Sequence, residues 1–193
     1  MTNHIDLGTV LRQTLSANLY SNLVTRPTGA AVRTQIELLL RSSGAQDRSL
    51  TVIDFSHVAM IDFSCADEVI AKLLMRPGQE REAYFVFRGM TDDHWDTIET
   101  VLERHGLALV VERDSGLELV GVLEDGERRA FQAIKRRGRA ESWELAGDLG
   151  EPEPAVRHAL DRMCHRRLIM RHGTMYTPVG EGGGGGPSGE EVA

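Results

Sequence analysis

Cysteine is scarce in this chain of 193 residues, with only Cys65 and Cys164 present. Two thiols cannot build a disulfide-stapled mini-protein or a multi-cysteine zinc module, so reduced cysteines are expected. Long apolar runs are missing too. No stretch reaches the roughly 20 residues needed to span a bilayer, and MTNHIDLGTV has no basic segment leading into an apolar one, so a cytoplasmic chain that does not engage membranes is expected. Positive charge is short overall: 22 Lys and Arg face 29 Asp and Glu, a net charge of −7, which excludes a globally basic nucleic-acid coat. Catalytic signatures are also lacking. There is no glycine-rich phosphate loop after a strand, no His/Cys/Asp set at catalytic spacing, and no carboxylate pair with a reason for split pKa values. An enzyme is therefore not expected, nor a bound cofactor.

What is present is ordinary for a globular chain, with 41% apolar and 26% charged residues. The charge is unevenly divided. Residues 1–120 hold 11 basic and 17 acidic side chains, whereas residues 121–180 hold 11 basic and 9 acidic. Opposite balances point to two modules. The last stretch, EGGGGGPSGEEVA over 181–193, cannot bury enough apolar surface to offset the entropy of ordering it, and reads as a disordered acidic tail.

Apolar spacing predicts a helix from Leu7 through Val10, Leu11, Leu15 and Leu19, then a short strand at SNLVT and a second helix from Pro27 to about Ser42-Ser43-Gly44. LTVIDF reads as a buried strand, followed by a break at Met60-Ile61-Asp62-Phe63. A helix then runs from about Ser64 to Leu74, stopped at Arg76-Pro77-Gly78. A strand at Tyr84–Phe87, a helix after Thr91-Asp92-Asp93, and two apolar runs around Asp114-Ser115-Gly116 complete an α/β domain, a sheet covered by helices. Beyond Gly121 the spacing gives three helices and then a hairpin turning at His172-Gly173, which is the winged-helix order.

The stretch TVIDFSHVAMIDFSCADEVIAKLL carries a specific resemblance. A strand ending in Asp54, a one-turn excursion, and Asp62-x-Ser64 opening an amphipathic helix resemble the STAS domain of anti-sigma factor antagonists. LVTRPTGAAVR, with Arg26, Gly29 and Arg33, is closer to divergent STAS-like regulatory domains, and the matching stretches span most of residues 20–112. The resemblance implies a protein partner, an anti-sigma or HATPase-type kinase, that phosphorylates Ser64 beside Asp62. The usual motif is Asp-Ser-Ser-Gly, and here it is Asp62-Phe63-Ser64-Cys65. Ser64-x-x-Asp67 is equally an N-cap arrangement, so capping and phosphoacceptor readings both stand. Cys65 reads as a small buried helix residue, and Asp54 and His57 as polar strand-end residues without a catalytic role.

Residues 121–180 are similar to the winged helix-turn-helix domains of bacterial regulators. The resemblance implies DNA contact by Arg157, His158, Arg162, Arg166 and Arg167 on and after the third helix, and by Arg171 and His172 in the wing. Glu151-Pro152-Glu153-Pro154 at the mouth of that helix suits the helix dipole but would face phosphates. Dimerisation or protein docking is thus an open alternative. Cys164, His158, His165 and His172 match no common zinc spacing, and no metal is expected. The expected protein is a regulatory adaptor in which the STAS-like domain binds a partner and the winged helix engages DNA or a second copy. The alternative is a dimeric winged-helix transcription factor that uses the first domain as its dimerisation platform.

Overall fold

The computed structural model describes residues 2–15, 22–42, 48–75 and 82–180. The continuation of the first helix to Leu19, the end of the second at Ser43-Gly44, the Arg76-Pro77-Gly78 stop and the glycine-rich tail lie outside them. In chain order, β1 is Thr2–Asp6, α1 Leu7–Leu15, β2 Asn22–Leu23, α2 Arg26–Ser42, β3 Arg48–Asp54, β4 Met60–Ile61 and α3 Phe63–Ala66. A π-helical turn, Asp67–Ala71, runs directly into α4, Lys72–Leu74. There follow β5 Glu82–Arg88, α5 Asp92–His105, β6 Ala108–Arg113, β7 Gly116–Gly121, α6 Asp125–Arg137, β8 Ala140–Glu141, α7 Ser142–Leu149, α8 Glu153–His165, β9 Ile169–His172 and β10 Met175–Pro178.

A five-stranded sheet in the order β1-β3-β5-β6-β7 forms the centre, parallel except for the antiparallel β6–β7 pair. The chain is therefore mixed α/β with a mostly parallel sheet covered by helices. Its strands are apolar nearly throughout because both faces are buried. On one face Ile5, Ile53, Phe85, Phe87, Leu109 and Val111 pack with residues of α1, α2, α3 and α5. Alternate residues Val52, Tyr84, Val86, Ala108, Val110 and Leu117 belong to a second core with Phe131, Ile134, Leu160, Met163, Ile169 and Val179. That second core runs across residue 121 without a break. The C-terminal part builds three helices on a small antiparallel sheet ordered β8-β10-β9.

Two elements differ from the sequence expectation. TNHID forms the parallel edge strand β1, which hydropathy does not announce because Ile5 is its one buried side chain. Of the expected SNLVT strand, Asn22–Leu23 pairs in parallel with Met60–Ile61, the place where a break is expected, and not with the central sheet. This short ladder delivers the chain into α2 and α3 side by side.

Helix ends follow side-chain chemistry. At the start of α5, Thr91 N donates to His94 Nδ1 at 3.1 Å, and at its end Gly106 sits at φ 63°, where its N–H donates to the Glu103 carbonyl at 3.2 Å. His94 is fully buried. Burial pulls its pKa below the ordinary value; the Ala59 and Val58 carbonyls pull the other way, but Nε2 makes no hydrogen bond. With Nδ1 occupied as an acceptor, a second proton has no place without undoing the cap. As the folded value lies below the unfolded one, stability is complete above a pH of about 6.5 and declines as pH falls below it, by up to about 1.4 kcal/mol per pH unit. Urea denaturation across pH 5 to 7 checks this. His94→Asn, which retains a capping oxygen, is expected to flatten the profile.

Candidate functional site

The ladder between β2 and β4 brings two helix starts together, with Asp62 N donating to the Leu23 carbonyl at 2.9 Å. Asp62 has the extended backbone of an N-cap, φ −88° and ψ 165°. Its Oδ1 accepts from Cys65 N at 2.8 Å and from Ser64 Oγ at 2.8 Å, and its Oδ2 accepts from Thr25 N at 2.7 Å. The expected capping role of Ser64 is thereby corrected. Asp62 is the cap because its carboxylate reaches the free N–H groups of both helix starts, while Ser64 lies inside the first turn and donates to it. Burial alone would raise the Asp62 carboxyl, but the bonds from Thr25, Cys65 and Ser64 outweigh it and hold the pKa below the ordinary carboxylate value.

The same corner fixes Thr25 at φ 73°, a left-handed conformation that a threonine rarely adopts. Cys65 Sγ donates to the Thr25 carbonyl at 2.9 Å. Burial pushes the Cys65 thiol up to about 12, so it stays protonated, in keeping with its reading as a small buried residue. Gly29 permits the close approach of α2. A Cβ there would fall 2.9 Å from Cys65 Cα.

Behind Ser64 the π turn places Asp67 and Glu68 against α2 and α5. Glu68 is buried and bonds to Lys72 Nζ at 2.5 Å and Arg26 at 2.8 Å, with Arg33 at 3.5 Å. Burial works against its charge, but these three cations hold its pKa below the ordinary value. Asp67 takes Arg26 at 3.0 Å and His105 Nε2 at 2.7 Å. The TRPTGAAVR segment thus supplies two of the cations, Arg26 and Arg33, that face Asp67 and Glu68, a role that sequence separation conceals. Asp62→Ala, which removes three accepted hydrogen bonds, is expected to cost about 2 kcal/mol. Ser64→Ala is expected to cost under about 1 kcal/mol. Urea midpoints at pH 7 check both. Because the Asp62 pKa is depressed, the difference between Asp62→Ala and wild type is present above the unfolded value of about 3.9 and fades as pH falls below it.

The structure places the C-terminal candidates around α8, and most are paired within the chain. Arg157 is bonded to Glu153 one turn earlier. Arg162 reaches Glu124 and, at 3.1 Å, Glu127, while Arg166 reaches Glu127 at 3.3 Å and the Val122 carbonyl at 2.6 Å. Glu127 is fully buried, and its Oε2 also accepts from Glu124 N at 2.9 Å, closing the cap of α6. Arg171 lies 3.6 Å from Asp161, donates to the Gly173 carbonyl at 2.9 Å and stacks over Tyr176, its guanidinium carbon 5.5 Å from the ring centre. His172 Nδ1 meets Arg48 at 3.2 Å. Arg167 holds a left-handed backbone, φ 59°, and His158 is exposed. Glu153 accepts from Ser142 Oγ at 2.8 Å as well as from Arg157.

Sequence reading overlooks Glu124, Glu127, Asp161 and Arg48, the partners of these arginines and of His172. Glu124-x-x-Glu127 before an apolar run is a legible capping pattern. Arg48 has no such signal, being 124 residues from His172. Among the described residues no group of three or more His, Cys, Asp or Glu is arranged to hold a metal ion, and no helix is long and apolar enough to cross a membrane. No protein-family profile, curated protein or solved structure matches the chain.

Proposed function

We propose that this protein is a regulatory adaptor whose Asp62–Ser64 corner binds a protein partner and is switched by phosphorylation of Ser64. One observation carries the reading: the helix start is capped by Asp62, so the half-buried Ser64 hydroxyl, bonded to Asp62 Oδ1 at 2.8 Å, is not needed to satisfy the backbone. A phosphate there replaces a donor to Asp62 by about −1.5 to −2 charges beside a carboxylate that is held ionised. Such a change alters what can dock without breaking the cap. Together with the STAS-like pattern, this favours a kinase-type ATPase of the anti-sigma class as partner.

We read residues 121–180 as a winged helix. Its arginines are matched by Glu124, Glu127, Glu153 and Asp161, which fits docking to a protein or to a second copy better than a phosphate backbone. DNA contact remains the second reading, favoured by the exposed Arg157 and His158 on α8.

The test is affinity capture from the native host with wild type, Ser64→Ala and Ser64→Asp. An ATPase retained by wild type and Ser64→Ala but lost from Ser64→Asp is expected. Equal retention by all three removes the switch. For the DNA reading, gel retardation of promoter fragments that weakens steeply with salt is required, and no retardation at about 50 mM salt ends it.

A further inference from the structure

Arg26 is shared by the two carboxylates that follow Ser64. Its guanidinium lies 3.0 Å from Asp67 and 2.8 Å from Glu68. These residues come three and four positions after Ser64, and the chain between them is helical, with Asp67 N donating to the Phe63 and Ser64 carbonyls. Side chains at that spacing are neighbours on one helix face, about 5–6 Å apart at Cβ. The backbone end of Arg26 is fixed at the other side of Ser64. Thr25 N donates to Asp62 Oδ2 at 2.7 Å, while Ser64 Oγ donates to Oδ1 of the same carboxylate at 2.8 Å. The Arg26 side chain thus leaves α2 beside Asp62 and ends one turn further along the neighbouring helix, on the face that carries Ser64.

Among the cations on these carboxylates, Arg26 is the one placed to change partner. Its side chain is 52% exposed, against 25% for Arg33 and for His105. Lys72 is one turn beyond Glu68, on the side away from Ser64. When Arg26 leaves, Asp67 keeps His105 Nε2 at 2.7 Å, and the buried Glu68 keeps Lys72 at 2.5 Å and Arg33 at 3.5 Å. No buried carboxylate is stranded by the exchange, which would otherwise be costly. Arg104 serves a different face: its guanidinium carbon is 5.3 Å from the ring centre of Phe63, about 100° around the helix from Ser64. A phosphoserine offers three acceptor oxygens and more charge than one carboxylate, and the planar guanidinium fork matches it.

We infer that Arg26 is the receiver, within this chain, of a phosphate on Ser64: it gives up Asp67 and Glu68 for a forked contact to the phosphate and so ties the start of α2 to the modified helix. The inference rests on Ser64 as the modified residue. It makes α2, and not only a docking partner, respond to the modification.

The test uses the full chain with phosphoserine installed at position 64 during synthesis, which requires no kinase and no partner. Phosphorus NMR follows the second ionisation of the phosphate, ordinarily near pH 6. The charges of Asp62 and Asp67 push its midpoint up, and a paired guanidinium pulls it down. Every other group is common to the variants, so the comparison isolates residue 26. The midpoint is expected to lie about half a unit or more lower with Arg26 than in Arg26→Gln, with Arg26→Lys, which keeps the charge without the fork, in between. Arg104→Gln is expected to leave it unchanged. Circular dichroism identifies a variant that fails to fold, and in the unsubstituted chain the Nε–H NMR signal of Arg26 is expected to move on phosphorylation. Equal midpoints with Arg26 and in folded Arg26→Gln, a shift in Arg104→Gln as large as that in Arg26→Gln, or an Arg26 signal that phosphorylation leaves in place overturns the inference. A Ser64 left unmodified in the native host removes the proposed switch without touching this midpoint difference, so the two failures are told apart.

Discussion

A chain cut after Gly121 is expected to lose its soluble, cooperatively folding state. Val52, Tyr84, Val86, Ala108, Val110 and Leu117 share one core with side chains from residues 130–179, and Gly180 lies against Leu117 and Val86. Removing the C-terminal part exposes that face of the sheet. Each large apolar side chain returned to water costs about 1.5–3 kcal/mol, and total stability is about 5–15 kcal/mol. Even partial exposure of the five large ones, with Ala108 beside them, is enough to unfold the fragment or drive it into aggregates. Expression of residues 1–121 followed by size-exclusion chromatography and thermal melting checks this. A soluble monomer melting within a few degrees of the full chain would show that the sheet does not depend on its C-terminal cover.

Glu127→Ala is expected to be the most damaging single substitution in the C-terminal part. The carboxylate is fully buried and satisfies Arg162, Arg166 and Glu124 N together, thereby tying α6 to α8. Removing it leaves Glu124 N and two partly exposed guanidinium groups without this acceptor and costs about 2–3 kcal/mol. Glu127→Gln retains the acceptor for Glu124 N and loses only the charge, so an intermediate loss is expected. Denaturant midpoints give the comparison. If Glu127→Ala loses less than about 1 kcal/mol, the arginines are free to serve an outside ligand, and the DNA reading of α8 gains accordingly.

Hydropathy makes much of this fold legible. AYFVF and LALVV are continuous apolar runs because alternate residues enter two different cores, and helix starts such as Thr91-Asp92-Asp93 carry their own capping chemistry. What covers the second face of the sheet is not written in any local window. The pairing of β2 with β4 is equally hidden, since two residues on each side give no periodicity, and β1 escapes notice because four of its five residues are not buried. At the candidate switch the motif is legible but its internal roles are not. Asp62 and Ser64 are both capping residues by type, and only the position of Thr25 N decides that the carboxylate bridges two helix starts. The carboxylates paired with the arginines of α8 are hidden from a sequence window for a similar reason: they lie up to 39 residues away.

The proposed switch requires a Ser64 hydroxyl that the fold does not need for itself, the helix start being capped by Asp62. Its most direct test is site-resolved phosphopeptide mass spectrometry on the protein purified from its native host, before and after incubation with ATP and the captured ATPase. One added phosphate confined to Ser64, removed by phosphatase and absent from Ser64→Ala, is the predicted result. Phosphate at other positions only, or a Ser64 peptide that stays unmodified while the ATPase is active on ATP, would contradict it.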